Sequence, residues 1–194
     1  MKRAVLMSIQ PRWCEKILQG EKTVEVRKTR PTLMQTPFKV YVYCTKPRFE
    51  HEDYFALVGR PGFNGGGKVI GEFVCDRIDR LAHIGYTGST ERPKYRIVDD
   101  WGKAHDITRL LETACLTQEE LETYLKGQAG FGWHISDLKI YDKPRKLDEF
   151  ERPYECDECT AQWASECNAC HKECKIKRPP QSWRYVQENE GVLN

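Results

Sequence analysis

The sequence lacks anything that would commit it to a partner by bulk physics. Thirty-one Lys and Arg stand against twenty-nine Asp and Glu, a formal charge of +2, so no field of one sign draws nucleic acid or a membrane surface to the whole molecule. Any basic binding surface must be local. Long apolar runs are missing too, and the short ones present fall well below the roughly 20 residues a transmembrane helix requires. The opening "MKRAVLMSIQPRW" has neither the apolar core nor the small-residue cleavage site of a secretory leader, and the expectation is a cytoplasmic protein that engages no membrane. Internal repeats and low-complexity segments are absent, and oligomeric state leaves no mark. At 194 residues the chain suffices for one ordinary domain plus an embellishment.

What is present reads first as short strands and a few helices. "VLMSI" is an opening strand, and "PRWCEKILQ" is a helix with Pro11 in its first turn and Gly20 closing it. "TVEVRK" and "FKVYVYC" alternate apolar and polar residues with the period of a half-buried strand. "KVIGEFVCDRI" reads as one long strand in which Gly71 marks a bulge or a close backbone approach, and "KYRIV" as a shorter one. "DITRLLETACL" and "LTQEELETYLKG" have helical spacing, the second with Thr117 and Glu120 in the relation of a capping box. "GWHISDLKIYD" returns to strand with a shift of parity near Ser136, and "PPQSWRYVQE" supplies the last strand. Such a series, without strict alternation of strand and helix, predicts an α+β fold: a mixed, mostly antiparallel β-barrel with packed helices.

The nine cysteines are unevenly spread: five crowd into Cys156 to Cys174. Residues 151–177 are short of aliphatics, and read as an insert before the last strand, leaving 1–150 plus 178–194 as the main domain. "CDECTAQWASECNACHKEC" contains two CxxC pairs, and such knuckles let four thiolates converge tetrahedrally on structural Zn2+. Cys156 and Cys159 form one pair. Cys167 with Cys170 competes with Cys170 and Cys174 for the other, and His171 is a further candidate donor. A local disulfide or a cluster of free thiols is the metal-free alternative.

Two other stretches bear on function. "GFNGGGKV" has the glycine, lysine and spacing of a phosphate-binding P-loop, but Val69 stands where the magnesium-binding hydroxyl belongs and a strand follows instead of a helix. It reads as a loop beside a cleft or as a surface turn. In "ILQGEKTVEVRK" the valines satisfy a core face, while Glu25 and Arg27 share the opposite face one pleat apart and Lys22 stands where the turn meets the strand. A carboxylate that accepts from an exocyclic amine would there lie beside a guanidinium that grips phosphate or carbonyl. The alternative is an exposed strand face carrying a weak ion pair.

This stretch, with its GxKTxExR pattern, resembles the ASCH domains, relatives of the PUA RNA-binding barrel. The resemblance continues through "KVIGEFVCDRI", "GWHISDLKIYDKP" and "RPPQSWRYVQ" and is similar to ASCH proteins of bacteria and their phages. It implies a PUA-like barrel and a cleft that holds Lys22, Glu25 and Arg27; Thr23 lies on the Glu25 face as a further ligand-binding candidate, and His134, next to Trp133, is either another lining residue of that cleft or a satisfied structural histidine. The function it implies is a binding module for RNA or a modified nucleoside. A second implication is enzymatic. Some small bacterial ASCH proteins hydrolyse N4-acetylcytidine, with a lysine at the position of Lys22, a threonine at that of Glu25 and a further glutamate near the last helix. On that branch Lys22 and Glu25 would be catalytic, Glu25 departs from the pattern, Glu112 is the nearest third residue, and Glu72 is one more carboxylate to place.

Overall fold

The computed structural model describes residues 2–46, 65–84, 95–153 and 174–188. The described chain separates into two compact units, one formed by Met1–Glu15, Phe38–Phe73 and Leu138–Asn194, the other by Lys16–Pro37 and Val74–Asp137. The cysteine-rich segment expected as an insert, 151–177, lies for the most part (154–173) outside the described residues.

The first unit is built on a five-stranded sheet. Strands β1 (Arg3–Ile9), β3 (Phe38–Cys44), β4 (Lys68–Cys75), β9 (Ser136–Arg145) and β10 (Trp183–Gln187) run in the order β10-β1-β3-β4-β9. β1 lies antiparallel to β10, with Val5 opposite Tyr185, and parallel to β3, with Val5 opposite Val40. Having neighbours on both sides, β1 is apolar at nearly every position and buried from Ala4 to Ile9, as a central strand must be. Ala4, Leu6, Tyr41, Tyr43, Val69, Phe150, Ile176 and Val186 form a core in this unit. Gly71 sits where the Lys139 carbonyl of β9 passes so close that a Cβ would have no room, the close backbone approach expected of it.

The second unit carries β2 (Val24–Arg27), β5 (Ile78–His83), β6 (Tyr95–Val98), β7 (Ala104–His105) and β8 (Gly130–His134) in the order β2-β8-β5-β6-β7. One face of this sheet is covered by helices α2 (Thr108–Ala114) and α3 (Gln118–Leu125), whose Leu110, Ala114, Leu121 and Leu125 pack with Val24, Val26, Leu81 and Tyr95. The capping box of α3 is present: Glu120 N–H donates to Thr117 Oγ1 at 3.1 Å and Thr117 N–H to Glu120 Oε2 at 2.9 Å. Helix α1 (Pro11–Leu18) precedes β2 and ends in Gly20, whose φ of 76° lies in the left-handed region that glycine adopts without strain.

The mixed α+β, mostly antiparallel architecture agrees with expectation, but the described strands pair as two sheets and trace no closed barrel. "KVIGEFVCDRI" is two strands. It breaks at Asp76 and Arg77, with β4 in one sheet and β5 in the other. The parity shift near Ser136 coincides with the break between β8 and β9 and with a left-handed Asp137 at φ 46°. No helix among the described residues is long and apolar enough to cross a membrane.

Candidate functional site

The turn between α1 and β2 presents Lys22. After Gly20, the N–H groups of Glu21 and Lys22 both return to the Lys16 carbonyl at 3.0 Å, and Thr23 N–H reaches across to Thr113 O of α2 at 2.8 Å. Thr23 O in turn accepts from Ile135 N–H at 2.9 Å, so the backbone on either side of Lys22 is held on two sides. Lys22 then points its Nζ at the carboxyl end of α2 and donates to Ala114 O at 2.6 Å. That carbonyl belongs to the last helical turn, where acceptors have no partner within the helix and the helix dipole favours a cation.

Glu25 completes the link. Its Oε2 lies 3.3 Å from Lys22 Nζ, and its Oε1 accepts a hydrogen bond from Arg27 Nη1, which also donates to the Val26 carbonyl at 3.2 Å. Lys22, Glu25 and Arg27 are only 2%, 3% and 8% exposed. Three charges out of water are costly unless they compensate one another, and here one anion serves two cations. The pairing is incomplete, because Glu25 Oε2 accepts no hydrogen bond from the described residues and has Lys22 only as an ionic neighbour.

Register decides what surrounds them. Glu25 lies opposite Trp133 and Arg27 opposite Phe131 on β8, and these two are opposite Ile78 and Arg80 on β5. Directly opposed residues share a sheet face. Glu25, Arg27, Trp133, Phe131, Ile78 and Arg80 therefore project from the face away from Val24, Val26 and the helices. Trp133 is fully buried, Phe131 half-buried and Arg80 exposed.

His134 is not gathered with this set. It lies opposite Val24, on the other face, because adjacent strand residues alternate and Trp133 already takes the Glu25 side. There His134 Nε2 donates to Asp79 Oδ2 at 2.7 Å, and Arg77 Nε reaches Asp79 Oδ1 at 3.2 Å. Burial works to raise the Asp79 carboxyl, but the hydrogen bonds and charges of His134 and Arg77 outweigh it and hold Asp79 below the usual carboxylate range. Thr23 is exposed and contributes its backbone.

The other candidates fall elsewhere. Glu112 is exposed on α2, and the acceptor that the helix offers Lys22 is the Ala114 carbonyl. Glu72 belongs to the first unit, where it accepts from Tyr141 Oη at 2.7 Å and pairs with Lys39 at 3.3 Å. Cys156, Cys159, Cys167, Cys170 and His171 lie outside the described residues. Cys174 is buried and its carbonyl accepts from Arg152 N–H at 2.8 Å. Among the described residues no three His, Cys, Asp or Glu side chains are grouped to hold a metal ion. Sequence reasoning missed Asp79, Arg80 and Phe131, whose relation to β2 depends on β8 lying between β2 and β5.

Solved structures share this fold. The chain is similar to an ASCH protein from Zymomonas mobilis, with a TM-score of 0.52 and 18% identity over 95% of this chain and 88% of that one. Two point mutants of the Zymomonas mobilis protein match at TM-scores of 0.51 and 0.52 with 17% identity, covering 95% of this chain and 91% and 89% of theirs. At such identity the likeness is one of fold, and the fold is that of an ASCH domain. No family model and no curated protein matches the chain.

Proposed function

From an ASCH fold as premise, we propose that this chain is a non-enzymatic binding module that recognises RNA or a nucleoside-like ligand through Lys22, Glu25 and Arg27. One observation carries the reading: Glu25 is 3% exposed, yet its Oε2 meets the Lys22 ammonium only as an ionic neighbour at 3.3 Å and accepts no hydrogen bond from the described residues. A buried carboxylate oxygen that is ion-paired but accepts no hydrogen bond is incompletely satisfied, and an exocyclic amine of a nucleobase would supply the missing bond. Arg27 then supplies a donor pair to a carbonyl or phosphate, and Lys22, fixed on Ala114 O, keeps Glu25 in place. Zinc held by Cys156, Cys159 and two of Cys167, Cys170 and Cys174 belongs to this reading as a staple for a segment too short to form its own core.

The test compares binding with turnover. Retention of a fluorescent single-stranded oligoribonucleotide should weaken with added salt and on Arg27→Ala, zinc should copurify, and N4-acetylcytidine should stay intact. Release of cytidine that disappears in Lys22→Ala would overturn the binding-module reading in favour of an amidohydrolase in which the lysine acts as nucleophile or base.

A further inference from the structure

The row of residues one pleat along from Glu25 is Arg27, Phe131 and Arg80, side by side across β2, β8 and β5. Two residues along a strand advance it by about 7 Å, so this row adjoins the one that holds Glu25 and Trp133. Arg30, just beyond β2, lays its guanidinium over the Phe131 ring at 5.6 Å from the centroid. A guanidinium stacked on a ring keeps its N–H edge available for a planar acceptor. Phe131 thus carries one arginine above it and is flanked by two along the sheet, with Glu25 the one acid on this face of β2, β5 and β8.

The arginines of this row and its surroundings differ in what they face. Arg27 pairs with Glu25, Arg77 with Asp79 and Arg96 with Asp106. Arg30 and Arg80 are exposed and meet no carboxylate among the described residues. Two guanidiniums that meet no carboxylate among the described residues, beside a ring and next to a site with an acid for a base edge, are suited to phosphate.

We propose that Arg30 and Arg80, arranged about Phe131, form a phosphate site continuous with Lys22, Glu25 and Arg27, so that the ligand is a phosphorylated nucleotide, free or within RNA, and not a bare nucleoside. The proposal rests on the preceding reading for the base-recognising half of the site and adds the half that selects phosphate. A free mononucleotide and an RNA phosphodiester present the same chemistry to these arginines, and the choice of probes separates them.

The experiment measures, on the full chain, the affinity of the four ribonucleosides, their 5′-monophosphates and a single-stranded oligoribonucleotide. Wild-type protein should bind phosphate-bearing probes about 10- to 100-fold more tightly than the matching nucleosides, the increment expected of a charged hydrogen bond. The double variant Arg30→Gln/Arg80→Gln should lose that preference and leave nucleoside affinity unchanged, and Phe131→Leu should lose part of it. A preference for monophosphates points to a free nucleotide. One confined to the oligomer, with a salt slope reduced in the double variant by about 0.7 for each phosphate no longer neutralised, points to RNA. Equal affinity for nucleoside and monophosphate, together with an unaltered oligomer slope in the double variant, would overturn the phosphate site alone. Failure of every probe to bind wild-type protein would overturn both readings.

Discussion

Each unit of this molecule contains a cluster of lysine, glutamate and a third polar partner, and the two clusters are built in opposite ways. In the first unit, Glu188, Lys2, Lys39, Glu72 and Tyr141 form a row in the order of the strands they belong to or adjoin: β10, β1, β3, β4 and β9. Each carboxylate there meets more than one donor, and Lys39 and Glu72 keep 23% and 17% of their side-chain surface in water. In the second unit, Lys22 and Glu25 keep 2% and 4% and Glu25 Oε2 accepts no hydrogen bond from the described residues. The row is the kind of partly solvated network that holds a sheet together and costs little. The triad removes three charges from water, which is costly unless they compensate one another fully, and Glu25 Oε2 lacks a hydrogen bond from the described residues.

The comparison makes ordered predictions for stability. Glu25→Ala should have the largest effect, because it removes the buried anion that Lys22 and Arg27 share: a loss of about 3–5 kcal/mol in urea unfolding, and a loss below 1 kcal/mol would place the triad with solvated surface pairs. Lys39→Met should cost less, about 1–2 kcal/mol, since Tyr141 still donates to Glu72 and Lys2 still meets Glu188. If Lys39→Met proved as damaging as Glu25→Ala, the two clusters would not differ as described.

Asp79 with His134 and Arg77 is intermediate in burial, and Asp79→Asn should have the smallest effect, below about 1 kcal/mol. Its pH dependence has a definite sign. The folded carboxyl titrates below its ordinary value, so its contribution is complete above the unfolded pKa of about 3.9 and is lost as pH falls through the lower folded value. The gap between wild type and Asp79→Asn, followed by denaturation from about pH 6 down to about pH 2, should therefore narrow as acid is added. A gap that widened would reverse the assignment.

Part of the site is legible before any fold is known. The glycine, lysine, acid and arginine of "GEKTVEVR" stand out because a strand explains its valines by burial and offers no such explanation for Glu25 and Arg27. The capping box at Thr117 and the end of α1 at Gly20 are legible for the same reason, since they are satisfied within a few residues of chain. The division of "KVIGEFVCDRI" between two sheets is not. Its apolar positions continue across Asp76 and Arg77, so periodicity carries no sign of the break, and β7 is too short to have a period at all. The expectation that His134 lines the site with the triad fails because nearness to Trp133 in sequence is not nearness in space: neighbours along a strand face opposite ways.

The sequence by itself determined which residues had to be explained: the alternating strands, the helix ends, and a charged triplet whose spacing is local and whose chemistry does not depend on the rest of the chain. Tertiary structure alone decided that the triplet is buried, that the carboxyl end of α2 meets Lys22, that His134 turns to Asp79, and that Arg80 and Phe131 stand in line with Arg27. These depend on strand order and register, which are fixed by cross-strand packing over long sequence separations, and a shift of one residue would send every one of those side chains to the other face.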